Sequence, residues 1–279
     1  MRKRGITLIE LMVTVLLFSV LSSAAYIALE VGRRSMRVGG VEIELQQGAR
    51  KAMTEMLREL RETDVGTVTI YTYTDVQNNE RHQAIAFASP RGNASSSKEG
   101  TCGDDVTNNA CFHITSNGDP AWRSLVVYAV YQTSDGRNEL RRYVGYNSAY
   151  ASGYFPFTFT GITSTQINVS GANSVNISLN RDGVTSGIAP RVVAQNVVTE
   201  DANNNYVRDP NEDDGSASLP FDNNDGVLNH GVDFSLNDPL LFVRRTITIS
   251  LFLRKRDTAV SSADRFIVST LEGMAELRK

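Results

Sequence analysis

Glu10 is the only charged side chain between Arg4 and Glu30, and it opens an apolar run from Leu11 to about Ala28. A charge at the centre of a bilayer costs about 3 kcal/mol on insertion scales. Such a group is either a fault or a device, and its neighbours decide which. Arg2, Lys3 and Arg4 form a basic head that Gly5 closes, and Ile6 to Ile9 lead to the carboxylate. Two further groups could do chemistry. Cys102 and Cys111 flank eight residues that include Gly103, Asp104, Asp105, Asn108 and Asn109. If they lie outside the cytoplasm, a disulfide is the default pairing, and it would contribute about 2 to 3 kcal/mol by closing that loop. The rival is a metal pair, but His113 is the only nearby histidine of three, too few for a zinc site. The other group is acidic. Asp201, Asn203, Asn205, Asp209 and Glu212 take positions 1, 3, 5, 9 and 12 of one stretch, with the Val207 carbonyl at 7. That is the ligand spacing of a calcium loop. Tyr206 stands where such a loop takes Gly, and strand-like sequence precedes it. Asp222, Asn224 and Asp225, with Asp233 twelve positions in, form a second loop in poorer register. One or two Ca²⁺ ions is one expectation, and a solvated, disordered acidic insert between two strands is the other.

The whole chain has 279 residues, 41% hydrophobic and 21% charged, with a net charge of −3, and this is globular composition. Ten acids against Arg208 make residues 200–238 −9, so the remainder carries +6. No basic excess points to nucleic acid. No nucleophile elbow, phosphate loop or zinc-binding His-Glu pattern is present, so no enzyme is expected.

The elements that must position these groups follow from periodicity. Ile6 to Ala28 is 23 residues, long enough to span about 30 Å of hydrocarbon. Beyond it Leu45, Ala49, Ala52, Met53, Met56, Leu57 and Leu60 recur at three- and four-residue steps. Glu42, Glu44, Gln47, Arg50, Lys51, Glu55, Arg58, Glu59 and Arg61 take the other faces. One helix from Ile6 to about Arg61 is predicted, roughly 80 Å long. Gly39-Gly40 is its expected weak point and Gly66 its stop signal. Strands are predicted at 68–73, 125–131, 162–169, 175–179, 191–198 and 246–253 from β-branched and aromatic residues. Ser134-Asp135-Gly136-Arg137 is a hairpin turn signal, and 93–100 a Ser-rich surface loop. There is no internal repeat. One long helix laid on an antiparallel sheet is an α+β arrangement.

Three explanations of the amino terminus are open. A secretory signal peptide would be cut near Ser22 to Ala25, but Glu10 weakens its apolar core. A plain membrane anchor leaves Glu10 unexplained. The third is processing: Arg4-Gly5-Ile6-Thr7-Leu8-Ile9-Glu10-Leu11 resembles the type IV prepilin motif of basic leader, Gly, apolar residue, Thr, Leu, Ile and Glu. The resemblance implies that a prepilin peptidase cuts after Gly5 and methylates Ile6, where the commoner residue is Phe. It implies that Glu10, the fifth mature residue, pairs in a filament with the α-amine of a neighbouring subunit. Inside lipid each ion alone is badly solvated, so the pair is worth forming.

The resemblance also divides the chain into a leader (1–5), a membrane half of the helix (6–30), an amphipathic docking half (31–63) and a β-rich globular domain outside the cytoplasm (64–279) with the acidic insert at 200–238. Gln46 to Met53, Leu57 to Arg61, Val127-Tyr128, Leu140 to Arg142, Leu253-Arg254 and Leu277-Arg278 are similar to PilW-like minor pilins and to J-type pseudopilins of type II secretion. Major pilins often carry a Pro within the first helix, and none stands here. A mass of 30.6 kDa exceeds a usual major subunit. These features imply a low-copy minor pilin that primes pilus assembly in a tip complex, partnered by other pilins and an inner-membrane assembly platform. It would be a single-pass inner-membrane protein before assembly and lie in the pilus at the cell surface after it. A minor pseudopilin is the alternative, and a membrane-anchored binding or adhesin domain the distant one.

Overall fold

A computed structural model describes residues 8–74, 80–90, 120, 122, 124–135, 137–146, 157–163, 165–171, 176–182, 189–198, 232–237, 246–256 and 266–277. The chain opens with α1 (Leu8–Arg61), whose 54 residues run unbroken through Gly39-Gly40, so the expected weak point leaves the helix intact. Its end tightens into three-residue hydrogen bonds, Glu62 N to Glu59 O and Thr63 N to Leu60 O, each 3.2 Å. Gly66 lies beyond that end. The Asp64 carboxylate caps a short 3₁₀ turn (Val65–Thr67) by accepting from the Gly66 amide at 2.7 Å.

Eleven strands follow among the described residues: β1 (Thr69–Thr74), β2 (Glu80–Ser89), β3 (Ser124–Gln132), β4 (Asn138–Tyr146), β5 (Thr158–Ile162), β6 (Gln166–Ser170), β7 (Asn176–Asn180), β8 (Arg191–Gln195), β9 (Val232–Asn237), β10 (Thr246–Arg256) and β11 (Phe266–Glu276). They build three antiparallel sheets, ordered β1-β2-β3-β4-β8, β11-β10-β9 and β5-β6-β7. The fold is α+β and pilin-like, with one long amino-terminal helix packed against antiparallel sheets.

The five-stranded sheet is the middle layer, which is why both its faces are apolar. In β2 and β3, Ile85, Phe87, Val126, Tyr128 and Val130 join the core shared with α1 and β9-β10-β11. The alternate residues Ala84, Ala86, Ala88, Leu125, Val127 and Ala129 join a second core beneath β5-β6-β7. Alternation of side chains across a strand makes this division automatic. Gly145 on β4 lets that outer layer close in, since a Cβ there would lie 3.1 Å from Ile177 Cγ2.

Two predicted strands are divided. The 162–169 run becomes a hairpin of β5 and β6 because Thr163 turns the chain: its amide donates to the Gln166 carbonyl at 2.8 Å, and its hydroxyl accepts from the Gln166 amide at 3.0 Å. Short hydroxyl side chains compete with the ladder in this way. The 191–198 run changes sheet. After β8, Asn196 adopts φ 61°, a left-handed conformation that Asn tolerates. Val197 then bridges Leu253, and Arg254 N donates to Asn196 O at 2.7 Å, so the chain leaves β4 for β10. β9 lies inside the acidic 200–238 segment, β4 follows the predicted hairpin turn, and β2, all of β5 but Ile162, and β11 fall outside the predicted strands. The Ala run of β2 and the Glu and Gly of β11 are residues that strands usually avoid.

Candidate functional site

The helix is divided by its environment. Its core contacts begin at Val41 and continue through buried Leu45, Ala49, Ala52, Met53, Met56 and Leu60. From Leu8 to Gly40 no residue is buried, and Leu8, Leu16, Phe18, Leu21, Ile27 and Val31 all stand exposed. That free part rises for about 50 Å. It is long and apolar enough to cross a membrane. Three of its hydroxyl side chains are satisfied locally. Thr14 donates to the carbonyls of Glu10 (2.7 Å) and Leu11 (2.9 Å), Ser19 to Leu16 (2.7 Å) and Ser23 to Ser19 (2.8 Å). Bonds back to the helix remove the cost of placing hydroxyls in hydrocarbon. Glu10 lies in the first turn with its side chain exposed, where the helix dipole favours an anion.

The docked part is held by a polar contact made by a residue whose charge alone had assigned it to the outer face. Glu59 is 2% exposed and faces the sheet. Its carboxylate accepts from Arg142 Nε on β4 at 3.1 and 3.0 Å and from the Tyr128 hydroxyl on β3 at 2.7 Å. Arg142 is 3% exposed and Tyr128 fully buried. Burial first, then the Glu59 charge, holds the Tyr128 phenol well above its usual pKa. The signal was present in the sequence. Glu59 follows Ala52 and Met56 on the apolar stripe, and Arg142 alternates with Leu140 and Val144 in a strand. Salt bridges from Lys255 to Glu44 (2.7 Å) and from Arg191 to Glu55 flank the docked helix. Gly273 of β11 makes room for it: a Cβ there would lie 2.6 Å from Met53 Sδ.

A second polar cluster ties β4 to the β5-β6-β7 layer. Arg181 is fully buried and donates from Nη1 to the Thr163 carbonyl at 2.9 Å. Its own carbonyl accepts from Arg141 Nη1 at 3.0 Å. The Arg141 guanidinium stacks 3.9 Å over the Tyr131 ring and pairs with Glu139 at 2.8 Å. Burial pushes the neighbouring Tyr143 phenol up to about 12.

Of the residues singled out in the sequence, Glu10 and Asp233 are described. Asp233 is the second residue of β9, opposite Ser250, with Oδ1 buried and lacking a hydrogen-bond partner among the described residues. Gly5, Ile6, Cys102, Cys111, Asp201, Asn203, Asn205, Val207, Asp209, Glu212, Asp222, Asn224 and Asp225 lie outside the described residues.

A free apolar half-helix continuous with a half locked onto antiparallel sheets places the chain in the pilin-like class of α+β proteins. Residues 1–26 match the family model of the prokaryotic N-terminal methylation motif, which indicates a type IV prepilin-like protein. The motif supports membership among type IV pilins or pseudopilins, with processing by prepilin peptidase and assembly with other pilins. No curated protein and no solved structure matches the chain.

Proposed function

We propose that this chain is a minor pilin that primes assembly of a type IV pilus and takes a place in its tip complex. The observation that carries this is the division of one helix into a free apolar half bearing Glu10 and a half fixed to the head. The free half needs lipid before assembly and sister helices after it. Cleavage after Gly5 would expose the α-amine of Ile6, methylated by the same peptidase. Glu10 would neutralise that amine on the adjacent subunit, relieving the cost of a lone carboxylate in hydrocarbon. Initiation is unfavourable because ordering entropy is lost before lateral contacts accumulate. A 30.6 kDa subunit with a large head fits a starter better than a repeating unit. The head would face the periplasm before assembly, beside the inner-membrane platform, and reach the cell surface with the pilus. There Cys102 and Cys111 would be oxidised to a disulfide, and the acidic segment would take up Ca²⁺. A deletion strain tests the role. Loss of surface filaments supports the minor pilin, and loss of exoprotein release with filaments intact assigns the chain to a secretion pseudopilus instead.

A further inference from the structure

Between Glu30 and Glu42 the helix carries Arg33, Arg34 and Arg37 and no acid. All three arginines are exposed, beyond the last contact of α1 with the core. At about 100° per residue, Tyr26, Arg33 and Arg37 fall within about 40° of one another and Arg34 within about 100°. Glu30 lies on the same stripe and lowers its net charge to +2. Arg33 and Arg37 stand four residues apart and Arg34 and Arg37 three, like-charge spacings that weaken an isolated helix. An anion bridging them would reverse that penalty.

The position of the stripe identifies the anion. Leu8 to Tyr26 rises about 27 Å, close to the hydrocarbon thickness of a bilayer. Tyr26, 69% exposed, therefore falls where the hydrocarbon meets the headgroups, a depth that tyrosine favours. Arg33 and Arg37 begin about 10 and 16 Å further along the helix. Helical side chains lean toward the amino terminus, so these arginines reach back toward the bilayer. Guanidinium groups bind phosphate oxygens two at a time, which a lysine ammonium does not.

We propose that Arg33, Arg34 and Arg37, with Tyr26 beneath them, form a binding surface for the phosphate headgroups of anionic phospholipids in the leaflet nearer the globular head. The contact sets the depth and rotation of the subunit before assembly. It rests on the membrane-anchored reading of the free half-helix.

The test uses the full chain reconstituted into phosphatidylcholine vesicles that contain a minor fraction of phosphatidylglycerol. Spin-labelled versions of each lipid report the motionally restricted population. Alkaline extraction reports insertion separately. The wild type should restrict phosphatidylglycerol ~30-fold over phosphatidylcholine, the scale set by a net of two positive charges at an anionic surface, and salt should reduce the preference. The Arg33→Gln/Arg34→Gln/Arg37→Gln variant should stay inserted and show no preference. The Arg50→Gln/Lys51→Gln/Arg58→Gln variant, with equal charge loss on exposed positions of the docked half, should keep it. An inserted wild type without preference overturns the proposal and leaves the anchor intact, whereas extraction of the wild type overturns both. Loss of preference in the docked-half variant would show a net-charge effect and also overturn it. So would a Gln variant of the stripe that keeps its lipid preference but fails to join filaments, because the partner would then be a sister subunit.

Discussion

Glu59 places a carboxylate in the core, and that is tolerable because Arg142 and Tyr128 meet it with three short contacts. Removing one member of a buried pair leaves the other charge stranded, which costs about 3–5 kcal/mol. Glu59→Ala should lower the denaturant midpoint accordingly. Joint replacement with Glu59→Leu and Arg142→Met should recover most of the loss, because apolar residues of similar volume often replace a buried pair without penalty. Tyr128 in this core and Tyr143 in the second core give the fold a pH dependence. A phenol with a raised native pKa holds its proton more tightly when folded. Stability is therefore full below the unfolded value of about 10 and falls as pH rises toward the Tyr143 value of about 12. Tyr128→Phe should remove its share of that alkaline decline while lowering stability at neutral pH by about 1.5–3 kcal/mol for the lost hydrogen bond to a carboxylate. Urea titrations across alkaline pH would measure both. The three- and four-residue steps located the docking stripe and run through Glu59, yet its charge assigned it to the outer face. Charge type argued for solvent, and only the partners on β3 and β4 show why the position favours an acid.

The helix lies as close to β11 as it does because Gly273 has no side chain. A Cβ would press on Met53 Sδ at 2.6 Å and Cγ at 2.9 Å and on Leu57 Cδ1 at 2.9 Å, so both side chains must shift. Gly273→Ala should therefore cost about 1–3 kcal/mol as an overpacking change, read as a drop in melting temperature with the fold retained. Gly39 and Gly40 behave differently. Nothing lies within 4 Å of a Cβ at either one, so each to Ala should strengthen the helix by about 1 kcal/mol. Slower amide exchange across residues 36–44 would register it. The helix and most strands were legible because their periods are local properties of the chain. The hairpin at Thr163 and the change of sheet at Asn196 were not. Each depends on which neighbouring strand accepts the next hydrogen bond, and no residue pattern states that.

For the assembled molecule, Glu10→Ala should leave the chain inserted and properly processed yet absent from sheared filaments, as read by immunoblot of pellet and membrane fractions. Normal incorporation would remove the pairing role. Millimolar calcium should raise the melting temperature of the full chain in detergent, and a melt that does not move would remove the ions from the acidic segment. Mass spectrometry of protein from its own host should find methylated Ile6 at the amino terminus. The sequence by itself determined the leader motif, the lone acid in an apolar run, the amphipathic continuation and the β-rich remainder. Each of these is written in residue type and spacing along one stretch of chain. Only the tertiary structure decided that three sheets form among the described residues instead of one, that the middle sheet is apolar on both faces, and that Arg142 and Tyr128 meet Glu59 in the core. Those outcomes depend on which distant surfaces exclude water from each other, and that partnership exists only once the chain has folded.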